Sequence, residues 1–555
     1  MKRTKAAMLC LMLVLTMSGC ASQDGNTEPA QTEAAQVSSE NTADTDKEEK
    51  QDDDTGKDTE KKELAHTDND TGIAQINIET VSKDADVMKF INEPVSRHVA
   101  EAISSWTPGY VMPPEPYYEA CTVTVVGRDG TVYTEDAAAD VKVRGNWTTN
   151  YPKKPLRIKF EEKQPMLGLN DDAEMRNWVL LAEYKDGSML RDKAALDFSE
   201  DILGADGLYS ADSELAEVTV NGEYRGVYLV SEQQQTGSHR VDITEPEADY
   251  QGTDIGYFLE LDGYFYNEDD LHSFHVDYAD NAALRPYDGK GGSSKTMKCL
   301  PANSFDFKND IGMTIKSDIY SQAQHDFIAN YVENVYKIMY NAAYDDEAWA
   351  FDSDYKNISK TDDMTPEEAV RAVVDVDSLA DMYIISELTC DADIYWSSFY
   401  MTADFGAEGS KKLTFLAPWD FDSAMGTKDR CADGKGFYAA NIVPNVDMVY
   451  DTINPWLAVL MYQGWYTDLI REKWTAAYDS GVFEDTLGMI AQDKTDYADA
   501  FKRNYDKWNN IVDNEMIINE LSDRAAACKT HEDAANYLEE WLTARVAFMN
   551  ENWHT

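Results

Sequence analysis

Two stretches of this 555-residue chain carry residue types at spacings that could do chemistry. One is acidic. Asp391 and Asp393 lie in Cys390-Asp-Ala-Asp-Ile-Tyr-Trp-Ser-Ser398, and Asp420 and Asp422 lie in Pro418-Trp-Asp-Phe-Asp-Ser-Ala-Met-Gly426. Carboxylates that follow a helix and a strand can meet in one cleft. There they can hold a hard cation such as Mg²⁺, which takes oxygen ligands and keeps room for phosphate. A neighbouring Asp can accept a proton from an attacking hydroxyl. Most Asp residues only cap helices and turns. Carboxylates set between Trp419 and Phe421 are less ordinary, because aromatic neighbours imply burial and burying charge is costly. The other stretch is basic: Lys142, Arg144, Lys153, Lys154, Arg157 and Lys159, with Gly145 at a turn between two strands. Backbone N–H groups at such a turn, with Lys and Arg beside them, can cradle phosphates. Taken by spacing alone, the basic stretch fits a solvated hairpin face better.

Other chemistries leave little trace. The eight His show no metal-ligand spacing, and GxSxG, HExxH, GxxxxGK[ST] and GxGxxG are all missing. Paired carboxylates would suit a glycosidase, but no local pattern separates an acid from a nucleophile. The seven Cys (10, 20, 121, 299, 390, 431 and 528) are widely spaced and lack CxxC, which argues against a zinc site or disulfide framework and for buried free thiols.

The elements that must position these residues divide the chain in two. Residues 120–130, 139–145, 155–160 and 178–182 read as strands, and Ala216 to Glu232 as a hairpin turning at Asn221-Gly222. Leu190 to Leu203 reads as a helix capped by Gly204. Further on, 326–339 and 378–388 have helical apolar spacing, a strand pair spans 398–401 and 413–417, and about 456–553 is helical again. The expected class is α+β, with a strand-rich lobe at 76–235 and a helix-rich lobe at 236–555.

Upstream, Lys2, Arg3 and Lys5 precede an apolar run, Ala6 to Met17, that ends in Ser18-Gly19-Cys20. Small residues before Cys at that point resemble a bacterial lipoprotein signal over 1–20, with Cys20 as the lipidated residue. An ordinary secretory signal is the alternative, and either would export the protein. Residues 21–75 hold 16 acidic residues and five Lys with few apolar ones, as a solvated acidic tether would. The whole chain has 49 Lys+Arg against 103 Asp+Glu, a formal net charge of −54. Such a field repels nucleic acid and favours basic partners, metal ions or metal-shielded anions. With 43% hydrophobic residues the chain can still build a large core.

Arg144-Gly-Asn146, Lys153-Lys-Pro-Leu-Arg-Ile-Lys-Phe160, Trp178-Val-Leu-Leu-Ala182 with Leu190-Arg191, Val220-Asn-Gly-Glu-Tyr-Arg-Gly-Val-Tyr-Leu229 with Glu232, and Pro418-Trp-Asp-Phe-Asp422 occur in this order. Together they resemble the spore coat protein H (CotH) kinase family over about 76–553. The resemblance implies an atypical protein-kinase-like two-lobed fold that uses ATP with Mg²⁺ or Mn²⁺ to phosphorylate Ser/Thr of secreted or surface proteins. It implies Asp393 as the catalytic base and Asp420 with Asp422 as metal ligands. Arg144, Gly145 and Asn146 would lie near the phosphates, with Arg157 on the same strand as a Lys, either Lys154 or Lys159, that pairs them. Glu232 would lie at the adenine connector. The acidic partner of that Lys is open among Asp192, Asp197 and Glu200. In kinase catalytic loops an Asn stands five residues after the base. Ser398 stands there in this chain, which leaves a non-catalytic surface protein, a pseudokinase or a polysaccharide- or partner-binding module, as the alternative. The expected partners are a basic, Ser/Thr-rich protein and a membrane reached through the lipid anchor only, on the extracytoplasmic face, with no nucleic acid.

Overall fold

Alternating apolar and polar residues fold the first half of the chain into strands, and these close on themselves. The computed structural model describes residues 64–82, 88–289, 296–298, 311–441 and 453–555. Its first strands are β1 (Ala65–His66), β2 (Ala74–Thr80), β3 (Glu119–Val126), β4 (Thr131–Val143), β5 (Leu156–Gln164), β6 (Met175–Leu181), β7 (Ser213–Val220) and β8 (Glu223–Glu232). Around the sheet the order is β4-β3-β2-β7-β8-β6-β5, and β5 pairs back onto β4, so seven strands form a barrel with β1 on its edge. Only β2 and β7 run parallel within it. Closure follows from the length of β4. It pairs with β3 from Val132 to Val141 and turns its other edge to β5 from Ala139 to Val143. Closure also removes the exposed edges that an open sheet would leave.

Period-two alternation fills the barrel: Ile76, Ile78, Val123, Val125, Val141, Leu156, Ile158, Trp178, Leu180, Val218 and Val230 are buried in one interior cluster. The hairpin β7–β8 turns where expected. Asn221 (φ 49°) and Gly222 (φ 76°) both take the left-handed conformation that this turn needs.

The helix Arg191–Gly204 packs on the outside of the barrel, burying Ala194, Ala195, Phe198 and Leu203 with Val179, Leu215, Val227 and Leu229 in a second, larger core. That core continues into the second half of the chain. There β9 (Gly256–Asp262) is the centre of a five-stranded antiparallel sheet, flanked by residues 312–315 with β10 (Ser273–Phe274) on one side and residues 399–404 and 413–416 on the other. Helices Gln322–Tyr340, Val376–Thr389, Gly464–Ser480, Val482–Asp496 and His531–Trp553 complete it. Capping boxes at Thr365/Glu368 and Thr530/Asp533 start two of the helices in this half, and Gly481 (φ 94°) breaks one from the next.

The fold is thus mixed α+β. In two respects it differs from the two-lobed picture drawn from sequence. The strand-rich half is a seven-stranded barrel, and the hairpin at 399–416 is two strands of a second sheet rather than an isolated insertion, because β9 lies beside it and takes up its free edge. Among the described residues no helix is long and apolar enough to cross a membrane. Cys121, Cys390, Cys431 and Cys528 are buried free thiols. Cys10, Cys20 and Cys299, with the signal and residues 21–63 of the tether, lie outside the described residues, while the tether's last residues, 64–75, contain β1 and the start of β2.

Candidate active site

The helix Val376–Thr389 ends at Cys390 in the left-handed conformation, and the chain then turns into the 3₁₀ turn Asp393–Tyr395. Asp391, itself buried, accepts a hydrogen bond from the Asp393 N–H at 2.9 Å and so fixes where Asp393 points. On the other side, the strand 413–416 delivers Asp420 and Asp422. Asp420 has φ 72°, a conformation that costs a non-glycine residue on the order of 1–3 kcal/mol and that the surrounding packing must hold. The two loops are tied together by the Met425 N–H, which donates to the Thr389 carbonyl at 2.7 Å. One carboxylate oxygen each from Asp393, Asp420 and Asp422 falls within 4.8 Å of the others.

Three carboxylates so close cannot all ionise without a counter-charge. Burial, and then repulsion from Asp393, Asp422 and Asp192, hold the Asp420 carboxyl well above its ordinary range. Lys185 supplies part of the missing charge: its Nζ is 2.8 Å from Asp422 and 2.6 Å from the Ser423 hydroxyl. Burial works against the Lys185 charge, but Asp422, Tyr151, Glu520 and Asp393 outweigh it and hold the ammonium well above its usual value. An all-oxygen donor set with this unmet demand for positive charge fits a hard divalent cation.

A cleft of about 2860 Å³ opens over the triad, with barrel residues on one wall and the second sheet and the loops above on the other. Arg144, Gly145, Asn146 and Arg157 line it, as do Lys142, Lys185, Glu183, Asp192, Gln233, Gln234, Glu260, Ser398 and Glu520. Arg144 faces Asp420 and Asp192 across the cleft. Burial lowers its guanidinium from the ordinary value, and those carboxylates counter it. Arg157 is buried and donates from Nη2 to Asn177 Oδ1 at 2.9 Å.

The remaining sequence candidates lie elsewhere. The Lys154 ammonium is buried against the Thr149 carbonyl, and burial, with Arg225 nearby, pulls it down to about 8. Neither Lys154 nor Lys159 is among the residues that line the cleft. The lysine that meets the carboxylates in the cleft is Lys185, which follows β6, and its carboxylate partner is Asp422 rather than Asp192, Asp197 or Glu200. Asp192 instead accepts from the Phe421 N–H at 2.7 Å, and Asp197 accepts from the Thr486 hydroxyl. Glu232 is fully buried and spent on internal partners: Asn170 Nδ2 at 2.9 Å, the Asp212 N–H at 3.2 Å and Arg240 at 3.3 Å. The next two residues face the cleft in its place. Gln233 Oε1 and both amide ends of Gln234 are buried there without a hydrogen-bond partner. Ser398 turns its N–H toward Glu260 Oε1 at 3.1 Å, with φ 59°.

A family model described as "CotH kinase protein" matches residues 141–549, about three quarters of the chain, and takes in Arg144, Lys185, the triad and the whole cleft apart from segment 96–116. The chain belongs to the CotH kinase family. Inner spore coat protein H of Bacillus subtilis (strain 168) is 36% identical over 90 residues, which are 16% of this chain and 22% of that protein. The chain therefore spans about a fifth of that relative's length in the match. For a CotH family member, sequence reasoning missed Lys185, Glu183 and Glu520, and it named Asp391 without giving it a role. The Glu183-Tyr-Lys185-Asp186 run after an apolar strand was the available signal, and nothing local marked it above the Lys153–Lys159 run.

Proposed function

We propose that this protein is a metal-dependent phosphotransferase that moves the terminal phosphoryl group of ATP to Ser or Thr hydroxyls of exported proteins. The observation that carries this reading is the facing of Arg144 and Lys185 onto three carboxylates held within 4.8 Å in one cleft. Cations on one wall and carboxylates on the other are what a magnesium-bound polyphosphate requires. The orphaned amides of Gln233 and Gln234 suit the polar edge of a purine base.

Asp420 and Asp422 would hold the cation, which when bound neutralises charge on the phosphate oxygens. Arg144 and Lys185 would hold those oxygens from the barrel side. Asp393, oriented by Asp391, would accept the proton of the substrate hydroxyl. The acidic surface supports a basic protein substrate, and the amino-terminal pattern ending at Cys20 supports a lipid-anchored, extracytoplasmic site of action.

Incubation of the purified chain with labelled ATP, Mg²⁺ or Mn²⁺ and a basic Ser-rich protein tests the reading. Label should be transferred by wild type and lost in Asp393→Ala and Asp420→Ala. Transfer that survives both substitutions would exclude it. Ser398, turned toward Glu260 where many kinases place a second metal-binding Asn, favours a second reading as a nucleotide-binding pseudokinase. That reading predicts a thermal shift with ATP and metal but no labelled product.

A further inference from the structure

Between β4 and β5 the chain leaves the barrel as the loop 144–155. This loop carries Arg144, rises through Gly145 (φ 91°) and folds into the 3₁₀ turn Trp147–Asn150. Within the barrel it is anchored at its base, where the Arg144 N–H donates to the Pro155 carbonyl at 3.0 Å. Its tip is held by a residue from the far end of the chain. Glu520, in the short turn Ile518–Glu520, accepts from Trp147 Nε1 at 3.3 Å and from the Tyr151 hydroxyl at 2.8 Å with its two carboxylate oxygens. Tyr151 is buried, stacks on Tyr184 with ring centroids 5.2 Å apart, and shares a small apolar cluster with Ile517. Glu520 also lines the cleft and adds to the field on Lys185. One carboxylate thus links the loop that carries Arg144 to the segment 517–521, which also carries Ile517 and Leu521 beneath Trp147.

We infer that Glu520 is a positioning residue for the phosphate-facing loop: by holding Trp147 and Tyr151 together it sets the height of Arg144 above the carboxylate triad. This rests on the phosphotransferase reading. A charged acceptor bonded to two donors gives stronger and more directional bonds than neutral pairs. Ser96 holds the other side of the loop, its hydroxyl donating to the Gly145 carbonyl at 2.6 Å and its N–H to the Thr149 hydroxyl at 2.9 Å, so loss of both Glu520 bonds frees the Trp147–Tyr151 side while this anchor and the barrel ladder below stay in place. Displacements of about 1 Å at such a loop can change turnover roughly 10²-fold.

The test compares the full-length wild type with Glu520→Ala, Glu520→Gln and the double variant Trp147→Phe/Tyr151→Phe. The readouts are binding of Mg-ATP by calorimetry, KM and kcat for phosphoryl transfer, and the thermal midpoint without ligand. Glu520→Ala and the double variant should each weaken Mg-ATP binding and raise its KM by roughly tenfold or more. Combining them should add nothing further, and Glu520→Gln, which keeps one acceptor and a similar shape, should recover most of the loss. Unchanged Mg-ATP affinity and KM in Glu520→Ala would overturn the inference. So would a loss that appears only as a lower thermal midpoint, or one that adds fully to that of the double variant. A wild type that binds no nucleotide would instead sink the phosphotransferase reading, and this inference with it.

Discussion

Replacing Lys185 by Met tests the electrostatics of the site directly, because it removes the ammonium and keeps most of the stem. Lys185 and Asp422 are only 7% and 14% exposed, and their charged atoms are 2.8 Å apart. Removing one partner of a buried pair costs about 3–5 kcal/mol, since the other charge is left behind without compensation. The triad has an escape, because its carboxyls are already crowded and can take up a proton instead. We therefore expect the low end, about 3 kcal/mol at pH 7, in urea unfolding. The sign of the pH dependence follows. Without Lys185 the carboxyl pKa values rise further in the folded state, so the folded protein binds protons more tightly than the unfolded chain, and stability recovers as pH falls. Each unit of pH over which that proton is taken up returns about 1.4 kcal/mol, so full uptake across the two units from pH 7 to pH 5 shrinks the deficit to about 0.2 kcal/mol. Millimolar Mg²⁺ or Mn²⁺ should stabilise the variant more than the wild type, because the metal would supply the missing charge. Phosphoryl transfer should still fall about 10²-fold or more with one phosphate-facing cation gone. A variant as stable as wild type at pH 7, with the same pH and metal response, would refute the account.

Other substitutions probe neighbouring features. Asp420→Asn removes a crowded, half-buried carboxyl; the metal-free protein should be no less stable than wild type, while metal-induced stabilisation and transfer both disappear in thermal-shift and labelling assays. Burial first, then neighbouring carboxylates, pushes Glu183 well up and Asp192 up to about 7. The contribution of Asp192 to stability is thus present below the ordinary carboxylate range and is lost as pH rises from about 4 to about 7, with Glu183 acting in the same direction; Asp192→Asn should flatten that decline in unfolding midpoints. Arg545→Met should destabilise by about 3–5 kcal/mol, because Glu387, fully buried, would be left with only the N–H groups of Tyr438 and Ala439 at 2.7 and 3.0 Å and the Tyr383 hydroxyl at 3.2 Å. Adding Glu387→Leu should restore part of that loss in the same denaturation assay. Cys121, whose thiol burial pushes up to about 12, should resist maleimide in the native protein, as should Cys390, and both should react on unfolding, as followed by mass spectrometry.

Much of the molecule was legible in local pattern. Alternation marked β5, a continuous apolar run marked β6 and turn chemistry marked the β7–β8 hairpin, since a strand's face is set by residues two apart and a tight turn by Asn-Gly itself. The acidic half of the site was legible for a similar reason. Asp393 and Asp420–Asp422 each follow directly from the end of an element, so their placement is carried by short stretches of chain. The tertiary structure decided the rest. Lys154 was one of the two lysines that the family resemblance set beside the phosphates, yet the loop that bears it folds against the barrel and turns the ammonium groups of Lys153 and Lys154 onto the carbonyls of Val227 and Thr149. Lys185 took the place in the cleft because the chain leaving β6 passes beside the loop carrying Asp422, a contact between residues far apart in sequence. Glu232 was drawn inward by Arg240 and Asn170, leaving the next two glutamines to line the cleft in its place. Closure of the barrel through β4 and β5 likewise depended on how far a thirteen-residue strand reaches around the sheet. Residue types and short spacings settled which groups could do chemistry. Which cation met the carboxylates was settled by long-range packing, because a charge is paired by whatever the fold brings within a few ångströms of it, not by its neighbours along the chain.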